Sequence, residues 1–358
     1  MGTIREQVAL SGYTTLRLGG PARCFVEARA EQDVTAAVSA ADKRGEPVLV
    51  LGGGSNLVIA DEGFPGTVVH VATRGIRFGR RDGMVSVTVA AGEDWDGLVA
   101  RCVSERLTGL ECLSGIPGLA GATPIQNVGA YGQEVSETIT AVRAYDRLAG
   151  GIVELAHADC GFGYRTSAFK RAPHRFVVLD VTFELARDGL SQPVRYAELA
   201  TALRVAAGER VTLGEARSVI LGLRRGKGMV LDPDDPDTRS VGSFFTNPVL
   251  GPAQLAALEA AVLAACGPGV RVPRFPGAAG RVKVPAAWLI ERAGYGKGHA
   301  GSGRDGARIS SKHTLALVNP GGATTASLVA LAAEIRNGVR DAFGVELVSE
   351  PVLVGVSL

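Results

Sequence analysis

Hydrophobic positions change their period several times along the chain, and each change marks an element. Ala22 to Ala28 is strand-like, whereas Glu31 to Arg44 places Val34, Ala37, Val38 and Ala41 at helical spacing. The unbroken apolar run Val48-Leu-Val-Leu51 suits a buried strand, and it empties into Gly52-Gly53-Gly54-Ser55-Asn56. A small α/β unit is therefore expected over residues 1–75. From Met84 to Leu185 alternation dominates: Val85, Val87 and Val89 share one face, and Phe176–Leu185 is a later β-run, so a β-rich unit is expected over 76–210. Between these strands lies Gly115–Gly132, which holds five glycines and is too irregular for regular structure.

A third unit is expected over 211–344. Thr212 and Glu215 have capping-box spacing and open a helix running through Arg224, followed by the acidic turn Asp232-Pro-Asp-Asp-Pro-Asp237. Further helices are predicted at Pro252–Cys266, Pro285–Ala293 and Thr324–Phe343, with a loop and strand over Ser310–Asn319. Two short strands are expected around Glu350, and the strands near 345–358 are expected to return to the first unit.

At 358 residues the chain exceeds one ordinary core, and 46% hydrophobic with 21% charged residues gives ample material to bury. The net charge is only +2, without basic runs interleaved with aromatics, so nucleic acid is not an expected partner. The N-terminal residues lack a basic-then-apolar leader pattern, and no apolar stretch approaches the roughly 20 residues a membrane helix needs. A cytoplasmic protein without membrane contact is expected. Five scattered cysteines, none in C-x-x-C spacing, read as reduced thiols, and five histidines without paired spacing argue against a metal site.

The candidate chemistry is concentrated in a few segments. The glycines at 52–54 follow a buried strand and leave backbone N–H groups open to an anion, although a tight structural turn accounts for them equally well. A second glycine-rich loop at 115–132 makes a pair that could enclose an extended dinucleotide. Gly301-Ser-Gly-Arg-Asp-Gly306 matches G-x-G-x-x-G in letters but lacks the strand before it and the helix after it. Phe162-Gly-Tyr-Arg-Thr-Ser167 joins an aromatic, an arginine and a hydroxyl, with Arg165 as a surface charge the plainer alternative. Gly242-Ser-Phe-Phe-Thr-Asn-Pro248 is either a pocket wall or a buried turn, and Ser243 lacks the G-x-S-x-G context of a nucleophile, which leaves proton donation. Glu350 is the one carboxylate whose apolar flanks argue partial burial.

Taken in order, Leu51-Gly-Gly-Gly-Ser-Asn-Leu57, Ile116-Pro-Gly118, Pro124-Ile-Gln-Asn-Val-Gly-Ala-Tyr-Gly132, Phe162-Gly-Tyr-Arg-x-Ser167 and Gly242-Ser-Phe-Phe-x-Asn-Pro248 closely resemble the UDP-N-acetylenolpyruvylglucosamine reductase family. The likeness continues through Ala286-x-Trp-Leu-Ile-Glu291, Leu317-Val-Asn319, Ala332-x-Glu-Ile-Arg336 and Phe343-Gly-Val-x-Leu347, nearly the whole chain. The resemblance implies an α+β protein with an FAD-binding fold of the vanillyl-alcohol-oxidase (PCMH) type in two α/β subdomains, plus a smaller α+β substrate-binding domain. It also implies bound FAD, NADPH as hydride donor, the enolpyruvyl sugar nucleotide as substrate, and a monomer. Tyr196, in Val194-Arg-Tyr-Ala-Glu-Leu199, suggests the longer form of the family, whose extra loop carries a substrate-binding tyrosine.

Carried onto this sequence, the family's catalytic positions fall on Arg165, Ser243 and Glu350. Its flavin positions fall on Gly52, Gly53, Gly54, Ser55, Asn56, Pro117, Gly118, Gly121, Ala122, Thr123, Gly129 and Tyr131, and its substrate positions on Tyr164, Tyr196, Lys227, Asn247 and His313. The sequence departs from the family pattern twice. Val348-Ser349-Glu350-Pro351 replaces a Glu-Pro-Glu stretch, so Glu350 is aligned by its distance from Leu347 and Gly355; Gly226-Lys-Gly-Met-Val-Leu-Asp232 replaces Lys-Leu-Pro-Asp. Another flavin oxidoreductase of the same fold and a catalytically silent flavoprotein are the rival readings.

Overall fold

Parallel strands need a crossover, and the first helix supplies one. In the computed structural model, which describes residues 2–81, 83–277, 280–301 and 306–358, helix Glu31–Lys43 follows strand Pro21–Ala28 and leads into strand Val48–Leu51. Both strands pair in parallel with Phe64–Val71, and Thr3–Ala9 completes a four-stranded sheet. The helix buries Val34 and Val38 against Ala28 and Val69, and carries Glu31 and Asp33 in its first turn and Lys43 in its last, matching its dipole.

The β-rich segment forms an antiparallel sheet in the order Gly151–Ala156, Ile139–Asp146, Phe176–Arg187, Met84–Ala90, Ile76–Arg81, with Leu107–Thr108 against the end of Phe176–Arg187. Alternation decides its faces: Val85, Val87 and Val89 are buried with Trp95, Leu98 and Val99 of helix Trp95–Ser104. Helix Leu213–Gly226 is capped by Thr212, whose hydroxyl accepts from the Glu215 N–H at 3.2 Å, and it buries Ala216 and Ile220 against Leu199 and Leu203.

Contacts divide the chain into two units, the first made of 1–8, 22–54 and 64–230, the second of 9–21, 55–63 and 231–358. This differs from three consecutive segments. The break expected at 211 falls after Val230, because helix Leu213–Gly226 shares its core with 194–211. Segments 9–21 and 55–63 belong with the C-terminal part, where Leu16, Leu18 and Val58 are buried with Phe244, Phe245, Ile290 and Leu331.

In the second unit Ser240–Ser243, Ala316–Val318 and Arg308–Ile309 form one small sheet, and Val249–Leu250, Val282–Lys283 and Phe275–Pro276 another. Helix Thr325–Phe343 buries Leu328, Leu331, Ile335 and Val339, and Asp61 caps its start by accepting from the N–H groups of Thr325 (2.9 Å) and Ala326 (3.0 Å). Val352–Val354 pairs in parallel with Leu57–Ile59. Of the two strands expected around Glu350, one forms as a ladder; the other side contributes a single bridge, Ser349 to Phe245. Among the described residues no helix is long and apolar enough to cross a membrane.

Candidate active site

Arg165 sits at the tip of a tight turn. Gly163 and Thr166 exchange backbone hydrogen bonds of 3.0 and 3.1 Å, which places Tyr164 and Arg165 at the apex and drives Arg165 to φ +52°. A left-handed conformation costs a non-glycine residue roughly 1–2 kcal/mol, so something must hold it there. The guanidinium donates from Nη2 to the Gly129 carbonyl at 2.7 Å and from Nη1 to the Asn127 carbonyl at 3.4 Å, and lies 5.4 Å from the Tyr164 ring centre. Buried Asn127 braces the corner, its amide donating to Glu134 Oε2 (2.7 Å) and the Gly163 carbonyl (3.2 Å).

The two glycine-rich loops meet within the first unit. A Cβ on Gly53 would lie 2.9 Å from Gly118 Cα, and one on Gly121 would lie 2.4 Å from Ala91 Cβ. Glycine at 53 is therefore required by backbone-to-backbone packing before any ligand is considered. Gly52 and Pro117 are half-buried and Ala122 is exposed, while buried Thr123 donates to the Ala120 carbonyl at 2.8 Å.

A second cluster in this unit joins three positions assigned separately above. The Tyr131 and Tyr196 rings meet edge to face at 5.6 Å, and Lys227 Nζ lies 5.7 Å from the Tyr131 ring centre while pairing with Glu198 Oε2 at 2.7 Å. Burial pushes the Tyr131 phenol up to about 12, and burial also raises Tyr196.

Arg224 was missed by motif reading. It lies in the buried stripe Leu213, Ala216, Ile220, Arg224, so a charge occupies the next apolar position of the helix, and that break in period is the signal available in the sequence. Its Nη2 donates to the Met229 carbonyl at 2.9 Å, whereas its buried Nε has no partner. Burial lowers its pKa, opposed by Tyr131 and Asp96.

In the second unit the chain brings Ser243 beside Glu350. Ser243 pairs with Ala316 at the end of strand Ser240–Ser243, directly after Gly242 at φ +72°. The next residue, Phe244, donates its N–H to the Leu315 carbonyl (2.7 Å) and accepts from the Glu350 N–H (2.8 Å). Asn56 is tied to the same stretch, accepting from the Val352 N–H at 3.0 Å and donating to the Glu350 carbonyl at 3.4 Å. Among the described residues the half-buried Ser243 hydroxyl meets no hydrogen-bond partner. Ser55 and His313 are half-buried in this unit, and the Asn247 amide oxygen accepts from the Ala286 N–H at 2.8 Å, fixing the start of helix Ala286–Arg292. Of Gly301–Gly306, residues 302–305 lie outside the described residues.

All five cysteines are free thiols, and burial raises those of Cys102 and Cys112 to about 12 and that of Cys160 to about 11, opposite to what a thiolate nucleophile requires. Among the described residues no three His, Cys, Asp or Glu side chains gather as metal ligands.

Residues 22–156 match the family model of an FAD binding domain, and residues 234–354 match that of the UDP-N-acetylenolpyruvoylglucosamine reductase C-terminal domain. The UDP-N-acetylenolpyruvoylglucosamine reductase of Thermobifida fusca is 56% identical over 354 residues, 99% of this chain and 98% of its own. That of Streptomyces coelicolor is 58% identical over 350 residues, 98% of this chain and 90% of its own. The chain belongs to the UDP-N-acetylenolpyruvoylglucosamine reductase family. A crystal structure of the Thermus caldophilus reductase aligns over 98% of this chain and all of its own with TM-score 0.64; at 24% identity it speaks for the fold alone. The fold is α+β with an FAD-binding part of the vanillyl-alcohol-oxidase type, and the chain is an FAD-dependent oxidoreductase that uses FAD and NADPH.

The first unit suits a flavin dinucleotide on its own terms. Its two glycine loops present backbone without side chains, and the orphaned Nε of Arg224 is a buried cationic donor 3.5 Å from where a Cβ on Gly115, at the head of the second loop, would stand.

Proposed function

We propose that Arg165, Ser243 and Glu350 carry the chemistry by which this family member reduces the enolpyruvyl group of UDP-N-acetylenolpyruvylglucosamine to give UDP-N-acetylmuramate, in peptidoglycan precursor synthesis. Bound FAD would supply the hydride-transfer chemistry between NADPH and the enolpyruvyl group. The Gly52–Asn56 loop with Pro117, Gly118, Gly121, Ala122, Thr123, Gly129 and Tyr131 is assigned to holding it, and Arg224 is added to that set for its orphaned buried donor. Tyr164, Tyr196, Lys227, Asn247 and His313 are assigned to the substrate. A cytoplasmic monomer is part of the reading, checked by gel filtration of the purified chain.

Hydride arriving at the terminal CH₂ makes it a methyl group and pushes an electron pair toward the substrate carboxylate. A fixed, planar cation stabilises that charge, and Arg165 has the fork for two carboxylate oxygens. The adjacent carbon must then take a proton. Its enolate is a strong base, so a neutral hydroxyl can serve, and Ser243 gives its proton there and recovers one from solvent. Glu350 orients this region and hydrogen-bonds the enolic form. The uncommitted hydroxyl of Ser243, the residue before the Phe244 whose carbonyl accepts from the Glu350 N–H, is the observation that carries the assignment.

Ser243→Ala separates the steps. NADPH should bleach the flavin at near the parent rate, whereas anaerobic reoxidation by the enolpyruvyl substrate should slow by roughly 10²-fold or more. Equal slowing of both halves, or of neither, would make Ser243 a turn residue and end the donor assignment.

A further inference from the structure

The acidic turn that precedes Ser243 has no role in the reaction as described, yet it is tied to both sides of that residue's strand pairing. Asp237 is 3% exposed, at the end of the turn that runs into strand Ser240–Ser243. Its Oδ2 accepts from the backbone N–H of Ser311 at 3.2 Å and from the Ser311 hydroxyl, and its Oδ1 faces Arg308 Nη2 at 3.4 Å. Asp235 of the same turn takes the Lys312 ammonium. The turn is rigid in itself, since the Thr238 hydroxyl donates to the carbonyls of Asp232 and Asp235, both at 2.8 Å.

What Asp237 holds is the loop between strands Arg308–Ile309 and Ala316–Val318. That loop is closed by Ser310 N–H to the Ala316 carbonyl (2.8 Å) and ends at Leu315 and Ala316, the residues paired with Phe244 and Ser243. Asp237 thus reaches Ser243 by two routes: along its own chain, and across the sheet through Ser311 and the loop. A buried carboxylate satisfied by an arginine, a hydroxyl and an amide is a stiff joint, because loss of any partner leaves charge without compensation.

We propose that Asp237 is a positioning residue for proton delivery, setting where the Ser243 hydroxyl stands by fixing the strand that pairs with it. A displacement of about 1 Å at a reacting group can cost up to ~10²-fold in rate, so a partial loosening of this joint should be visible in one step only. The proposal rests on the reading of Ser243 as proton donor.

Asp237→Ala and Asp237→Asn, each with and without Ser243→Ala, test it by rapid mixing of the two half-reactions. Flavin reduction by NADPH should be unchanged, and reoxidation by the enolpyruvyl substrate should slow about tenfold in the alanine variant and about threefold in the asparagine variant, which keeps one acceptor oxygen for Ser311. On the Ser243→Ala background neither should slow reoxidation further, since no donor remains to be misplaced. Parent-like reoxidation, equal slowing of both halves, or the same factor on both backgrounds would overturn the proposal. If Asp237→Ala does not fold, Asp237→Asn decides by the same criteria. Ser243→Ala reoxidising normally removes the donor reading and this proposal together, whereas slow Ser243→Ala with normal Asp237 variants removes only the proposal.

Discussion

Arg165 and Ser243 are held in opposite ways. The arginine is strained at φ +52° and its guanidinium is engaged by the carbonyls of Gly129 and Asn127, while the serine follows a glycine and offers a hydroxyl with no protein partner among the described residues. A group that stabilises charge must not move as the charge develops, so its orientation is fixed beforehand by the fold. A group that gives up a proton must be able to turn toward its acceptor, and a hydroxyl locked into a structural hydrogen bond would lose that bond in acting. A committed arginine and an available serine hydroxyl are what the two proposed roles call for.

The largest test removes the committed side. Arg165→Ala should lower kcat/KM for the enolpyruvyl substrate by about 10³-fold, within the range for loss of a fixed donor at a developing oxyanion, with FAD content retained. A defect under tenfold would mean that the turn at Gly163–Thr166 holds Arg165 for structural reasons. The available side is probed next by Ser243→Cys, which keeps a donor of lower pKa at similar size. Reoxidation should recover to within about tenfold of the parent, where Ser243→Ala remains roughly 10²-fold slow. If cysteine is no better than alanine, packing of the residue matters and proton donation does not.

The same contrast governs what could be seen in the sequence. Strands such as Met84–Ala90 and helices such as Thr325–Phe343 were legible because a single period fixes which face is buried. The turn that carries Arg165 was legible as a motif because Phe162–Ser167 are neighbours in the chain, whereas the carbonyls of Asn127 and Gly129 that hold its guanidinium lie more than thirty residues away. The adjacency of Ser243 and Glu350 was not: it depends on bridges between residues about a hundred positions apart, and no local pattern encodes that register. Likewise Leu16 and Val58 read as ordinary apolar positions of the first segment, and only the folded chain assigns them to the second core: Val58 through the parallel pairing of Leu57–Ile59 with Val352–Val354, Leu16 through its burial with Phe244 and Leu331. Asp237 looked like one more polar turn residue because its partners, Arg308 and Ser311, lie more than seventy residues away.

Smaller effects belong to binding groups, which grip the substrate equally in its ground and transition states. Lys227 is engaged by Glu198 at 2.7 Å over the Tyr131 ring, and is assigned to remote binding. Lys227→Ala should therefore raise KM by about tenfold with kcat within about twofold, and Tyr196→Phe should raise it by about threefold, the worth of one neutral hydrogen bond. A kcat defect without a KM change in either would place that residue among the charge-stabilising groups with Arg165.

The smallest expected effect concerns Tyr131, which packs edge-on against Tyr196 and whose phenol burial pushes up to about 12. In the unfolded chain a tyrosine loses its proton near pH 10, so between roughly 10 and 12 the unfolded form ionises while the folded form does not. The group's contribution to stability is whole below about pH 10 and is lost as the pH rises toward the folded value. Tyr131→Phe removes that term, and its urea midpoint should fall less steeply than the parent's over this alkaline range while matching the parent's slope at neutral pH. Below pH 9 the phenol stays protonated, so KM should show no break from this residue in either protein. An unchanged alkaline slope in Tyr131→Phe would mean that the phenol titrates as it does in the unfolded chain. The cluster of Tyr131, Tyr196 and Lys227 would then be open to water, and the committed side of the contrast would stop at Arg165.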